Sequence, residues 1–160
     1  MDFQTIVVGG GIVGLSAADA CAAGGDTLII ERHGRLGQET TARSSEVVHA
    51  GLYYPEASLK ARLCVEGRHL LQAFCAEAGV PYLTLGKLVV ACTPDEVPRL
   101  ETLAAQARAN GVTDVRLVTT AHAQDMEPEL TCCAALFSPS TAVVDSTGLM
   151  LALEARFIDR

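Results

Sequence analysis

The sequence predicts an α/β fold that begins with a Rossmann-like βαβ unit, and three features of the first 31 residues predict it. A glycine-rich turn at 9–14, with the sequence GGGIVG, directly follows the apolar run 6–8. The segment after the turn is rich in Ala and Gly, which suits a helix that packs closely on a sheet. A second apolar run then ends at the acidic residue Glu31. Together these features predict a strand at 4–8, a helix at 12–24 and a parallel strand at 27–31.

A dinucleotide requires this arrangement. Gly9 allows the tight turn, Gly11 lets the backbone approach the pyrophosphate, and Gly14 lets the helix pack closely on the sheet. The helix N-terminus favours the phosphates, and Glu31 accepts a hydrogen bond from a ribose hydroxyl. A glycine turn without a ligand would explain neither the acid nor its spacing from the glycines.

Regular periodicity disappears from 32 to 55 and then returns as an α+β pattern. A long irregular segment inside a compact domain is more often functional than idle. The pattern beyond it predicts helices at 57–78, from Thr93 to Asn110 and from about Thr147, and strands at 88–91, 115–118 and 134–137. The first of these helices is expected to bury one apolar face, formed by Leu59, Leu63, Leu70, Phe74 and Ala78. Thr93, Pro94 and Glu96 form a helix-start signal with a capping box, and Asp145 with Ser146 is expected to cap the last helix.

Composition excludes several classes of function. The formal net charge of −7 and the scattered basic residues argue against nucleic-acid binding. No apolar stretch has the length of a membrane-spanning helix, although membrane association stays open. Since the N-terminus carries no positively charged leader, we expect a cytoplasmic location. The six cysteines form no C-x-x-C pair. We therefore predict no metal site, while a metal or redox role for Cys132 and Cys133 is left open.

The segment after Glu31 distinguishes flavin from nicotinamide. Residues 37–55 read GQETTARSSEVVHAGLYYP, and residues 58–67 read SLKARLCVEG. These runs resemble the FAD-dependent oxidoreductases of the D-amino-acid oxidase superfamily, and within it the L-2-hydroxyglutarate dehydrogenase/oxidase group. The segments 86–91, 111–118 and 143–145 also fit the order of that group. The H-x-G-x-Y-Y element together with the SLKARLC run is fairly specific to the group, whereas the glycine turn is not.

The resemblance implies FAD as the cofactor and assigns residues to it. The pyrophosphate would lie on the turn, Glu31 would hold the adenosine ribose, and Arg32 would lie beside the adenine. Thr40, Thr41, Ser44 and Ser45 would line the phosphate and isoalloxazine side. The implied contacts of the turn are Gly9, Gly11, Ile12, Val13 and Gly14. Two positions depart from the family, because Ser44 stands where Asn is frequent and Glu46 where Gly is frequent. Ser44 keeps a polar group, whereas Glu46 would either point to solvent or perturb the surroundings of the flavin.

His49 is the catalytic candidate. Oxidation of a 2-hydroxy acid requires a base for the hydroxyl proton, and an imidazole suits that role near neutral pH. The alternatives are that His49 only hydrogen-bonds the loop or the cofactor, or that FAD is attached covalently through it. Tyr53 and Tyr54 would contact flavin or substrate, or serve as packing. Lys60, Arg62 and Lys87 would attract a dicarboxylate or be solvated surface charges. The other three histidines receive no role.

We therefore expect an FAD-dependent enzyme that oxidises a small 2-hydroxy acid, resembling L-2-hydroxyglutarate, to the 2-oxo acid. The alternatives are a superfamily member that acts on an amino acid or glycerol 3-phosphate, and a truncated fragment without activity. The electron acceptor stays open. The expected organisation is an FAD-binding portion at 1–80, part of a substrate-binding domain at 81–145, and at 146–160 the start of a truncated helix that returns toward the FAD domain.

Overall fold

The computed structural model describes residues 3–160. Its helices are α1 (Ile12–Ala22), α2 (Leu59–Ala78), α3 (Val97–Ala109), α4 (Thr120–Met126) and α5 (Ser146–Ile158). Its strands are β1 (Thr5–Val8), β2 (Thr27–Ile30), β3 (Val47–Val48), β4 (Tyr82–Leu83), β5 (Lys87–Ala91), β6 (Arg116–Val118), β7 (Ala134–Ser138) and β8 (Ala142–Val144). Two 3₁₀ turns lie at Thr41–Arg43 and Pro94–Glu96. The predicted α/β class is confirmed.

The chain forms two compact units. Unit 1 consists of Met1–Glu46, Phe74–Tyr82 and Val144–Arg160, and unit 2 consists of Val47–Ala73 and Leu83–Val143. Both units are discontinuous in sequence, whereas the predicted domains at 1–80, 81–145 and 146–160 follow one another along the chain. Across the described residues, no helix combines the length and the apolar character needed to cross a membrane.

Unit 1 contains the predicted βαβ arrangement. Strands β1 and β2 pair in parallel, with Thr5 opposite Thr27 and Val8 opposite Ile30. Helix α1 connects them and packs against both strands and against α5. Asp145 begins α5 as predicted, since its Oδ1 accepts hydrogen bonds from the N–H groups of Thr147 and Gly148, each at 3.0 Å. The cap satisfies two of the free N–H groups that every helix start leaves.

A buried ion pair joins α1 to α5. Asp19, on α1, is only 4% exposed. Its carboxylate accepts hydrogen bonds from Arg156 Nε at 3.1 Å and Arg156 Nη2 at 2.5 Å. Arg160 Nε lies 3.2 Å from Asp19 Oδ1. The Arg156 guanidinium also stacks over the Phe74 ring, at 4.4 Å from its centroid. The two-pronged geometry satisfies a carboxylate that would otherwise be costly to bury.

Unit 2 contains an antiparallel sheet with the strand order β5–β7–β6, and α3 packs on it. The predicted capping box at the start of α3 is present, with Glu96 Oε2 accepting a hydrogen bond from the Thr93 N–H at 3.3 Å. The core between the sheet and α3 consists of small and medium apolar side chains: Ala50, Leu52, Ala91, Leu100, Ala104, Ala107, Val112, Val115 and Leu136. A second short sheet has the order β3–β8–β4.

The apolar face predicted for α2 is wrong. Leu59, Leu63 and Leu70 are 62%, 50% and 72% exposed, whereas Ala61 and Cys75 are almost fully buried. Apolar residues occupy more than one side of this helix, so periodicity alone does not select the buried side. Small residues lie on the buried side because they let neighbouring elements approach closely.

Candidate functional site

The glycine turn of unit 1 has the geometry that its sequence predicts. Gly9 has a φ of +106°, in the region that favours glycine, and its N–H donates to the Ile30 carbonyl at 2.8 Å. A Cβ atom on Gly14 would overlap the carbonyl oxygen of Gly9. The absence of a side chain at Gly14 therefore allows α1 to start close behind the carboxyl end of β1.

The N-terminus of α1 offers unpartnered hydrogen-bond donors. Its first residue outside the helix, Gly11, has no side chain with which to cap it. Thr41 Oγ1 accepts a hydrogen bond from the Ile12 N–H at 3.1 Å. Within residues 3–160, no protein acceptor contacts the N–H groups of Gly11, Val13 or Gly14, and no acid lies in the first turn. Free N–H groups and the positive end of the helix dipole fit a pyrophosphate.

Glu31 folds back onto the glycine turn. Its Oε2 accepts a hydrogen bond from the Gly10 N–H at 2.7 Å, and its Oε1 accepts one from the His33 N–H at 2.9 Å. Both bonds lower the pKa of the Glu31 carboxyl below 4.5, and the bond from the His33 N–H has the larger effect. Glu31 is therefore charged at neutral pH. Each oxygen keeps further lone pairs that can accept a bond from a ribose hydroxyl.

The segment after Glu31 is held by a surface ion cluster. Arg32 Nη2 donates to Glu39 Oε1 at 2.6 Å, and the same oxygen lies 2.7 Å from His33 Nε2. Arg43 Nη1 donates to the carbonyls of Gln38 and Glu39. The bonds from His33 and then Arg32 lower the pKa of Glu39. His33, which received no role from the sequence, thus has a structural partner.

A cleft in unit 1 lies beside these residues. Its volume is about 590 Å³, within the range of small-molecule sites, and its lining includes Glu31, Leu36, Thr41 and Met150. The structure thus brings two predicted cofactor residues, Glu31 and Thr41, to one cleft. It finds no side-chain hydrogen bond, within the described part of the chain, for three others that are exposed: Thr40, Ser44 and Ser45.

Glu46, the departure noted in the sequence, has a φ of +60°. Few residues other than glycine adopt this conformation without strain. Glu46 Oε1 accepts hydrogen bonds from the Ser146 N–H at 3.0 Å and the Ser146 hydroxyl at 2.6 Å. Both bonds lower the pKa of Glu46. The side chain therefore caps the start of α5, and neither of the two roles predicted for it describes this contact.

A second group of functional candidates lies in unit 2. The His49 ring centroid lies 6.3 Å from that of Tyr54. Lys60 Nζ lies over the Tyr54 ring at 4.5 Å, and Lys87 Nζ lies over the Tyr53 ring at 4.7 Å. The catalytic candidate thus lies in one cluster with both tyrosines and with two of the three basic residues that the sequence singled out.

The electrostatics of this cluster keep His49 neutral. His49 is exposed at the surface, but partial desolvation of its ring lowers its pKa below 6.5, and the positive charges of Lys87 and then Lys60 lower it further. Burial also raises the pKa of the Tyr54 hydroxyl above 10, with the neighbouring Cys64 and Tyr53 adding to the effect. At pH 7 the imidazole is therefore an available proton acceptor, and Tyr54 keeps its proton.

Comparison with known proteins places the chain in a family. The model of the DAO family, described as "FAD dependent oxidoreductase", matches residues 4–160. The chain belongs to this family of FAD-dependent oxidoreductases. The match extends over almost the entire sequence, so the predicted family membership is confirmed, and so is FAD as the cofactor of the family.

Individual members of the DAO family show the extent of the similarity. A mitochondrial L-2-hydroxyglutarate dehydrogenase of Arabidopsis thaliana is 41% identical over 157 residues, covering 98% of this chain and 32% of the relative. The Homo sapiens enzyme of the same name is 37% identical over 158 residues, with 97% and 34% covered. The chain spans about a third of the length of these curated relatives. A solved FAD-bound L-alpha-glycerophosphate oxidase from Mycoplasma pneumoniae superposes with a TM-score of 0.87 at 25% identity, covering 98% of this chain and 44% of that one.

Sequence reasoning missed two contacts that shape the DAO-family site. Gly10 received no role of its own, yet its N–H fixes the Glu31 carboxylate. The Glu46–Ser146 contact joins residues 100 positions apart, and no local pattern signals it. The glycine at position 10 was visible in the motif, but its partner follows only from the fold.

Proposed function

We propose that this chain takes part in the FAD-dependent oxidation of a small 2-hydroxy acid, of the L-2-hydroxyglutarate type, to the corresponding 2-oxo acid. The observation that carries the proposal is the cluster around His49, in which Lys60 and Lys87 lie over the rings of Tyr54 and Tyr53 and their charges lower the pKa of the imidazole. The curated relatives that support it bear the name L-2-hydroxyglutarate dehydrogenase. An amino-acid oxidation would not in itself require two extra positive charges.

The residues of unit 1 would hold the cofactor. The free N–H groups of Gly11, Val13 and Gly14 would donate to the pyrophosphate, and Glu31 would accept from the adenosine ribose. The hydroxyls of Thr40, Ser44 and Ser45 would supply further donors. When bound, FAD supplies the acceptor for the hydride that leaves the carbon bearing the hydroxyl.

His49 would act on the substrate hydroxyl. Its neutral imidazole accepts the hydroxyl proton while the hydride leaves the same carbon, so the alcohol loses two electrons and two hydrogens and becomes a ketone. The ammonium groups of Lys60 and Lys87 attract the carboxylates of the substrate and disfavour protonation of the ring before substrate arrives. Tyr54 would remain protonated throughout.

The test is anaerobic reduction of the purified, FAD-loaded chain. Addition of L-2-hydroxyglutarate should bleach the visible flavin absorption. H49Q should bind FAD equally and bleach about 10²–10⁴-fold more slowly, since this is the usual contribution of a general base. His122→Gln, an exposed histidine on α4, is the matched control and should leave the rate unchanged. A chain that does not bind FAD, or an H49Q variant with an unchanged rate, would refute the proposal.

Glycerol 3-phosphate is a second candidate substrate and is tested separately, because the two lysines would also suit a phosphate. The solved structure named L-alpha-glycerophosphate oxidase supports this candidate at lower identity, 25% against 41%. Bleaching by glycerol 3-phosphate and not by L-2-hydroxyglutarate would favour it over the main proposal.

A further inference from the structure

Among residues 3–160, no acidic side chain forms an ion pair with either of the two lysines of unit 2. They are the only two lysines among the 12 basic residues of the sequence, which also has 19 acidic residues. Arg62, two residues from Lys60, pairs with Glu66 at 3.7 Å. In the part of the chain that the structure describes, neither Lys60 nor Lys87 has such a partner.

Aromatic rings take the place of carboxylates at both lysines. Lys60 Nζ lies 4.5 Å from the centroid of Tyr54, and Lys87 Nζ lies 4.7 Å from that of Tyr53. A ring face attracts an ammonium group without cancelling its charge or using its three N–H donors. The tyrosines therefore restrain both ammonium groups while leaving them able to bind an anion.

The lysines come from different elements, and the charges of both act on His49. Lys60 lies on α2, Lys87 begins β5, and both charges act on the imidazole that follows β3. Two separate ammonium groups match a ligand with two separate negative charges better than a ligand with one. A dicarboxylate carries two such negative charges, whereas a monocarboxylate carries one.

We infer that Lys60 and Lys87, restrained by Tyr54 and Tyr53, form a subsite that selects dicarboxylic acids over monocarboxylic acids. This inference rests on the proposed function, because it assigns the selectivity of that same site. Each lysine binds one carboxylate through charge-assisted hydrogen bonds, so loss of either lysine reduces the preference.

Glutarate is the probe that tests this subsite. It has both carboxylates but no hydroxyl, so it binds without being oxidised. The full 160-residue chain is titrated with glutarate and with butyrate at low ionic strength, and binding is followed by the NMR signal of His49, assigned with H49Q. Glutarate should bind at least about 10-fold more tightly than butyrate and should raise the pKa of His49, since bound negative charge offsets the lysines.

Single substitutions identify the groups responsible. K60M and K87M should each weaken glutarate binding by about 3- to 10-fold, which is the range for partly exposed charge-assisted contacts, and should leave butyrate less affected. R99M is the control, being an exposed basic residue of α3 outside the cluster, and should leave both affinities unchanged. Circular dichroism verifies that each variant is folded, as expected for side chains at the surface.

The outcomes separate this inference from the proposed function. Equal affinities for glutarate and butyrate, no binding of either, or unchanged glutarate binding in K60M and K87M would overturn it. Tighter binding of glycerol 3-phosphate than of glutarate would also overturn the dicarboxylate assignment. Lysine-dependent glutarate binding without flavin bleaching would uphold the subsite and refute the oxidation. Bleaching of the flavin by L-2-hydroxyglutarate, together with a preference for glutarate that does not depend on the lysines, would uphold the oxidation and refute the subsite.

Discussion

Asp19→Ala should destabilise unit 1, and the structure sets the size of the effect. Removing one partner of a fully buried ion pair costs about 3–5 kcal/mol, because the other charge is left buried without compensation. The Asp19 side chain is 6% exposed, whereas those of Arg156 and Arg160 are 37% and 36% exposed. Water can therefore solvate both guanidinium groups once the carboxylate is gone. We accordingly expect a loss of about 2 kcal/mol, which lowers the melting temperature of a chain of this size by about 4–8 °C.

The assay combines urea unfolding with hydrogen exchange. Circular dichroism gives the change in the free energy of unfolding, and loss of amide protection should concentrate in α1 and α5. Glu66→Ala is the matched control, since the Glu66–Arg62 pair has the same chemistry but side chains that are 58% and 65% exposed. It should cost less than about 0.5 kcal/mol. Equal effects of the two substitutions, or an equal loss of protection in both units, would refute the reasoning.

Three further predictions test other contacts. G14A should abolish FAD binding in a spectroscopic titration, because its Cβ would force α1 away from the turn; retained affinity would contradict the close approach. By NMR, His49 should titrate below 6.5, and K60M should raise its pKa. Because that pKa is lower in the folded than in the unfolded chain, stability should fall as the pH drops below about 6.5, and less steeply in K60M. Finally, E46A should melt below E46G, since glycine adopts φ +60° with less strain than alanine, and loss of the Ser146 bonds is common to both; the reverse order would show that the backbone there is unstrained.

The βαβ unit of this chain is predictable because its signals are local. The turn glycines, the apolar strands and Glu31 all lie within 31 residues, and each follows from a steric or hydrogen-bonding requirement of that short segment. The caps at Thr93 and Asp145 are local for the same reason. The sequence does not predict β3, β4, β8 and α4, because these short elements show no clear period.

The contacts between distant residues are not predictable from the same signals. Asp19 and Arg156 are 137 positions apart, and each alone is an unremarkable charged residue on a helix. The exposed leucines of α2 show that a local pattern can also mislead, since a plausible periodic pattern selected the wrong side of the helix. The candidate site is predictable only in part. The sequence singled out His49, the tyrosines and the lysines one by one, but only the fold shows that Lys60 and Lys87 each lie over a tyrosine ring and both act on His49.

The division of the chain assigns cofactor binding and anion binding to different compact units. The glycine turn and Glu31 belong to unit 1, whereas His49 and both lysines belong to unit 2. A substitution that damages FAD binding in unit 1 therefore need not abolish glutarate binding in unit 2. For this reason the FAD titration and the glutarate titration are informative in combination. If G14A loses FAD but still binds glutarate through its lysines, the glutarate subsite is a property of unit 2 alone. If it loses both, glutarate binding depends on the integrity of unit 1, and the lysine cluster would not be an independent recognition site.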